Sequence, residues 1–126
     1  MRAVDTNVLV RLITRDDPRQ VAAAESFVAS GGWVGHLVLA ETTWVLSTVY
    51  DLAPAAIAAA VDMLRNHEHL TIQDAEVVTA ALGQYRRNPR LDFSDCLVLE
   101  TARKAGHLPI GTFDRQLAKL DGAQRL

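Results

Sequence analysis

The chain has a single cysteine, no apolar run long enough to cross a bilayer and no marked excess of either charge. Each shortage excludes something. Cys96 alone forms no internal disulfide and anchors no cysteine-rich metal site, which fits a reducing compartment. A membrane span needs about 20 consecutive apolar residues, and no stretch of the sequence reaches that length. Asp5 follows soon after Arg2, with no apolar core or small-residue cleavage site, so no secretory leader is expected and the chain reads as cytoplasmic. A net charge of −2 argues against a protein that coats nucleic acid through many phosphate contacts. It leaves room for an enzyme with acids at its centre and arginines at its rim. Eleven of the 13 basic residues are arginine, the side chain best shaped for phosphate. Several chemistries lack their signatures. There is no P-loop, GGWVG does not match a dinucleotide fingerprint, and Ser47, Ser94 and Cys96 have no nucleophile-elbow context. DTN lacks the second acid of a DxD phosphatase pair, and no lysine near GTFD completes a receiver-type site.

What is present suits one globular α/β domain spanning residues 1–126, with 49% hydrophobic residues and no repeat or linker. Residues 2–4 read as a strand and 7–14 as a helix with apolar positions 8, 9, 12 and 13. Asp17 and Pro18 supply an N-cap and a first helical residue for a second helix, which ends near Gly31-Gly32. A short strand follows at 33–35. Residues 37–50 form a helix apolar over most of its surface, expected to be buried. Pro54 opens an alanine-rich helix, HLTI reads as a strand, and Asp74 caps a helix running to about Arg87. NPRLD breaks the chain before a helix over 93–105 that Gly106 closes. LPIGT is a strand, 114–120 a short helix and AQRL a last strand. Strands alternate with helices, and the connections are too long for hairpins. This is the pattern of a parallel sheet covered by helices.

Five acids fall where strands end or helices begin: Asp5, Glu41 in LAETTWVL, Asp92 and Asp95 in DFSDCLVLE, and Asp114 in GTFD. In an open parallel sheet these positions share one edge, where ligands bind. Capping alone accounts for Asp5, Asp92 or Asp114 taken singly, and Asp92-x-x-Asp95 resembles a capping box. Glu41 resists that account, because its helical neighbours are Leu37, Val38, Trp44 and Val45, and an ionised carboxylate buried among them is costly. Asp95 shares its stripe with Val98, Leu99 and Ala102, while Glu100, Arg103, Lys104 and His107 take the solvated side. Neither stripe carries an arginine to neutralise its acid. Clustered carboxylates repel unless a cation sits among them, and oxygen donors suit Mg²⁺ or Mn²⁺. Zinc is poorly served: of His36, His67, His69 and His107 only His67 and His69 are close in sequence, with no cysteine near, and they read as surface residues.

DTNVLVRL, LAETTWVL, DFSDCLVLETARKAG and IGTFDRQL, in this order and at this spacing, resemble the PIN-domain nucleases, and among them the VapC-type toxins of bacterial toxin–antitoxin pairs. The resemblance covers essentially the whole chain. It implies a three-layer α/β/α fold around a central, mostly parallel sheet of four or five strands. It also implies an Mg²⁺-dependent endoribonuclease, with Mn²⁺ as the alternative ion, in which metal-activated water hydrolyses RNA phosphodiester bonds. Carried onto this sequence, the catalytic and metal-binding acids are Asp5, Glu41, Asp95 and Asp114, with Asp5 and Asp95 as direct ligands. Thr6, Asn7 and Thr112 would orient these carboxylates, Asp92 would be an outer acid or a helix cap, and Arg115 would face the substrate. Arg11, Arg15, Arg86, Arg87 and Arg90 are further phosphate candidates. The partners implied are a VapB-type antitoxin and a second copy of the chain. The competing reading is a catalytically silent PIN-like module that binds RNA or protein.

Overall fold

In the computed structural model, which describes residues 1–126, the first strand is only two residues long. β1 (Arg2–Ala3) leads into α1 (Thr6–Thr14), α2 (Pro18–Val28), β2 (Gly32–Val34), α3 (His36–Thr48), α4 (Pro54–Arg65) and β3 (Leu70–Ile72). These elements make up one unit, Met1–Ala75; a second, Glu76–Leu126, holds the rest. Its elements are α5 (Ala75–Arg87), α6 (Phe93–Ala105), β4 (Ile110–Thr112), a 3₁₀ turn (Leu117–Lys119) and β5 (Ala123–Arg125).

All the strand pairs are parallel. In the first unit the strand order is β1-β2-β3, with Arg2 opposite Gly32 and Val34 opposite Ile72. In the second, β4 pairs with β5, Ile110 lying opposite Ala123. The five strands are thus hydrogen-bonded as three and two. Each parallel pair is joined by a helical crossover, as the alternation of elements required. Gly32, on the central strand, is closely packed: a Cβ there would lie 3.1 Å from Leu70 and 3.2 Å from both Val28 and Val4, so those side chains would have to give by a few tenths of an ångström.

Local signals set most boundaries. Asp17 accepts the Gln20 N–H at 3.1 Å and Pro18 opens α2. Gly106, at φ 83°, closes α6 in the left-handed conformation that glycine adopts without strain. The helix expected over 114–120 shrinks to the 3₁₀ turn, although Asp114 accepts the N–H groups of Gln116 and Leu117 (2.8 and 3.1 Å) as a helix N-cap does.

Two expected faces are turned. Helix α3 is not buried all round: Leu37 is 82% exposed and Trp44 60%. Its inward stripe is Leu39, Thr42, Thr43 and Leu46. The threonines tolerate burial because their hydroxyls donate to the carbonyls of Val38 and Ala40, both at 2.8 Å. In α6, Val98 is exposed, whereas Glu100, expected in solvent, is buried. Arg103 donates to the Glu100 carboxylate at 3.1 Å and Gln84 donates at 3.4 Å, which makes that burial tolerable. In the first unit Leu9, Val34, Leu39 and Leu46 are fully buried, and in the second Val78, Ala81, Cys96 and Leu99 are. Tyr85 meets Phe93 edge-on, ring centres 5.9 Å apart.

Candidate active site

In the first unit the pairing of β1 with β2 continues through the Val4 N–H, which donates to the Trp33 carbonyl at 3.0 Å. The chain leaves the sheet at the next residue, so Asp5 stands at the carboxyl end of β1 and caps α1, its Oδ1 accepting the Thr6 N–H at 2.7 Å. Thr6 is buried; Asp5 and Asn7 are exposed. Because β2 runs parallel to β1, α3 starts from the same edge. Gln73 pins that start: its side chain accepts the His36 N–H at 2.9 Å and its carbonyl meets His36 Nε2 at 2.6 Å. Glu41 lies in the second turn of α3 and is exposed, between Leu37 and Trp44 on the outward face. The desolvation argument for Glu41 is therefore overturned. Its claim to function rests on position and resemblance.

The second unit gathers three carboxylates electrostatically. Asp95, half-buried in the first turn of α6, has its carboxyl raised above the ordinary carboxylate range, chiefly by burial and then by the charge of Asp92, with Asp114 adding to it. A backbone N–H of Asp92 acts the other way, favouring the ionised form. Asp92 occupies the N-cap position, but its side chain makes no capping bond, so its exposed carboxylate is not spent as a cap. Asp114 is held on two sides. Its N–H donates to Thr112 Oγ1 at 3.0 Å, while its Oδ1 takes the Gln116 and Leu117 N–H groups. Thr112 thus holds the backbone of Asp114, not its carboxylate. Cys96, next to Asp95, has its thiol pushed up to about 12 by burial and the neighbouring acids.

The donor chemistry here fits a hard divalent cation: oxygen atoms only, a half-buried Asp95, and like charges rather than an arginine beside it. No group of three or more His, Cys, Asp or Glu is arranged to hold a metal ion. His67 and His69 offer no alternative centre, since His67 Nδ1 is taken by the His69 N–H at 3.1 Å.

The arginines divide sharply. Arg11 is engaged by Gln20, Asp16 and Tyr50, and Arg15 pairs with Glu25 at 2.7 Å, so both serve the fold of the first unit. Arg87, Arg90 and Arg115 are exposed and are not ion-paired. Asn88 and Gln116, which line a groove with Arg87 and Arg90, went unmarked in the sequence; the Asn-Pro turn was the one available signal.

No curated protein sequence matches the chain. Among solved structures it is similar to the VapC20 toxin of Mycobacterium tuberculosis, described as cleaving the sarcin–ricin loop, with 20% identity, a TM-score of 0.44 and 98% of each chain covered. The PIN domain family model matches residues 2–123, nearly the whole length, and the chain belongs to the PIN domain family.

Proposed function

We propose that this chain is a divalent-metal-dependent endoribonuclease and the toxin of a toxin–antitoxin pair. The observation that carries the reading is Asp95. A carboxylate kept half-buried beside Asp92 and within reach of Asp114's charge makes the fold less stable than a neutral side chain would, a cost expected of a working site. Membership of the PIN family supports the same chemistry. Asp5 and Asp95 would be the direct ligands of Mg²⁺ or Mn²⁺, with Glu41 and Asp114 completing the acidic set. When bound, the ion supplies positive charge to the transition state and acidifies a water.

The remaining steps belong to the protein. Thr112 and the Gln116 and Leu117 N–H groups fix Asp114, so its free oxygen keeps one orientation through turnover. Asp5 is steadied by the Thr6 N–H in the same way. Glu41, exposed and not ion-paired, is the acid free to orient the attacking water and accept its proton at a carboxylate oxygen. Arg115, exposed and next to Asp114 in sequence, would face the phosphodiester. Unpaired strands are the expected substrate, since the edge of a sheet does not enter a deep A-form groove. The exposed Leu37 and Trp44 supply apolar surface for protein partners, a second copy of the chain and a VapB-type antitoxin. No helix is long and apolar enough to cross a membrane.

A silent PIN-like binding module is the second reading. Incubation of purified protein with single-stranded RNA in Mg²⁺ or EDTA separates the two. Wild type is expected to cut only in Mg²⁺, and Asp95→Asn to cut in neither. Equal cleavage by both proteins rejects the nuclease assignment. Induced expression is expected to arrest growth with wild type but not with Asp5→Asn.

A further inference from the structure

The turn between α5 and α6 forms a groove of about 230 Å³ lined by Arg87, Asn88, Pro89, Arg90, Leu91 and Gln116. We infer that this groove binds the phosphodiester backbone of single-stranded RNA, holding phosphates that neighbour the one cleaved. The inference rests on the nuclease reading.

Charge is the first support. Arg11, Arg15, Arg65 and Arg103 are each neutralised by a carboxylate, at 2.7 to 3.1 Å. The two arginines of the groove are exposed and are not ion-paired, in a chain whose net charge is −2. Placing Arg87 in the last turn of α5 complements the helix dipole, but that does not account for Arg90, which lies beyond the helix.

Rigidity is the second support. Asn88 closes α5 by donating its side-chain N–H to the Gln84 carbonyl at 2.9 Å, and its own carbonyl accepts the Leu91 N–H at 3.0 Å across Pro89 and Arg90. Proline at the second position of such a turn fixes its backbone before any ligand arrives, which lowers the entropic cost of binding. Leu91 is buried and anchors the far side.

Position is the third. Gln116 lines the groove, and its N–H is bound by Asp114 at 2.8 Å, so one residue joins the groove to the acidic centre of this unit. Asp92, Asp95 and Asp114 together repel a polyanion. A strand that brings one phosphate to them needs cations under its neighbours, and Arg87 and Arg90 supply two in the groove that Gln116 lines.

The test uses the full chain in an Asp95→Asn background, so that a labelled single-stranded RNA 12-mer survives, with binding read by fluorescence anisotropy across a salt series. Arg87→Gln with Arg90→Gln is expected to weaken binding about tenfold. The slope of log K against log salt should fall by about 1.4, two contacts at about 0.7 each. Arg87→Lys with Arg90→Lys should keep the slope while losing part of the affinity, which a folding defect would not do. In the otherwise wild-type enzyme the glutamine pair should raise KM more than it lowers kcat. Affinity and slope unchanged by the glutamine pair would overturn the inference, even where wild type cleaves RNA. Loss of binding in the glutamine pair, with wild type unable to cleave, would keep the groove and reject the nuclease.

Discussion

Thr112 Oγ1 accepts the backbone N–H of Asp114 at 3.0 Å, so the last residue of β4 sets the direction in which the next acid leaves the sheet. Asp114 in turn ties down the following turn. Replacing Thr112 with valine keeps the side-chain shape and removes the acceptor. On the proposed nuclease function, RNA cleavage is expected to drop about tenfold, the usual loss when a support of a metal-binding carboxylate is removed, with little change in thermal midpoint. Thr112→Ser should recover most of the loss. An unchanged rate in the valine variant would mean that Asp114 needs no such support.

Asp95 is costly to the metal-free protein, because burial and the charge of Asp92 both disfavour its ionised form. Asp95→Asn is therefore expected to melt at a higher temperature than wild type in EDTA. Saturating Mg²⁺ should raise the wild-type midpoint and leave the variant unmoved, since only a species that binds the ion is stabilised by it. Calorimetric scans of both proteins in both buffers check this, and a variant less stable than wild type in EDTA would contradict it.

The turned face of α3 gives a paired test. Leu39 is fully buried and Leu37 82% exposed, two residues apart. Leu39→Ala should cost about 3 kcal/mol by the usual cavity penalty. Leu37→Ala should stay within about 0.5 kcal/mol. Urea unfolding at neutral pH distinguishes them.

Asp16 links stability to pH. Its carboxyl is held below the ordinary carboxylate range, first by the Thr14 hydroxyl and then by the Tyr50 hydroxyl, with Arg11 contributing. The unfolded chain then binds the proton more readily, so stability rises with pH through this region. The contribution is present above the unfolded value of about 3.9 and is lost as pH falls through the lower folded value. Asp16→Asn should flatten the acid limb of the stability–pH curve and leave its alkaline limb in place.

Much of the fold was legible because its boundaries are chemical. Asp17-Pro18 and Gly106 mark their helix ends in any context, and α6 spans the residues its flanks indicated. Side-chain direction was harder to read. In α3 the sequence offers two stripes, and the more apolar one, through Leu37 and Trp44, faces outward. The inward stripe contains Thr42 and Thr43, whose polarity is cancelled by back-bonding that composition does not reveal. Glu100 misled in the same way, since a buried ion pair reads as a solvated charge. Of the acids, Asp5, Asp95 and Asp114 stand at the strand and helix ends assigned to them. Asp92 does not cap, and Glu41 faces solvent. The groove joins the consecutive residues 87–91 to Gln116, 25 positions beyond the last of them, and only its Asn-Pro turn is visible as a local pattern.

The sole native thiol, Cys96, is fully buried within α6 and keeps its proton up to about pH 12. Alkylating reagents act on thiolates, so they should pass over it at neutral pH. A cysteine introduced at exposed Val98, two residues further along the same helix, would then be the only site to react. A fluorophore or spin label can thus be attached a short distance from the acidic residues without first deleting a natural side chain, giving a direct reporter of what arrives there.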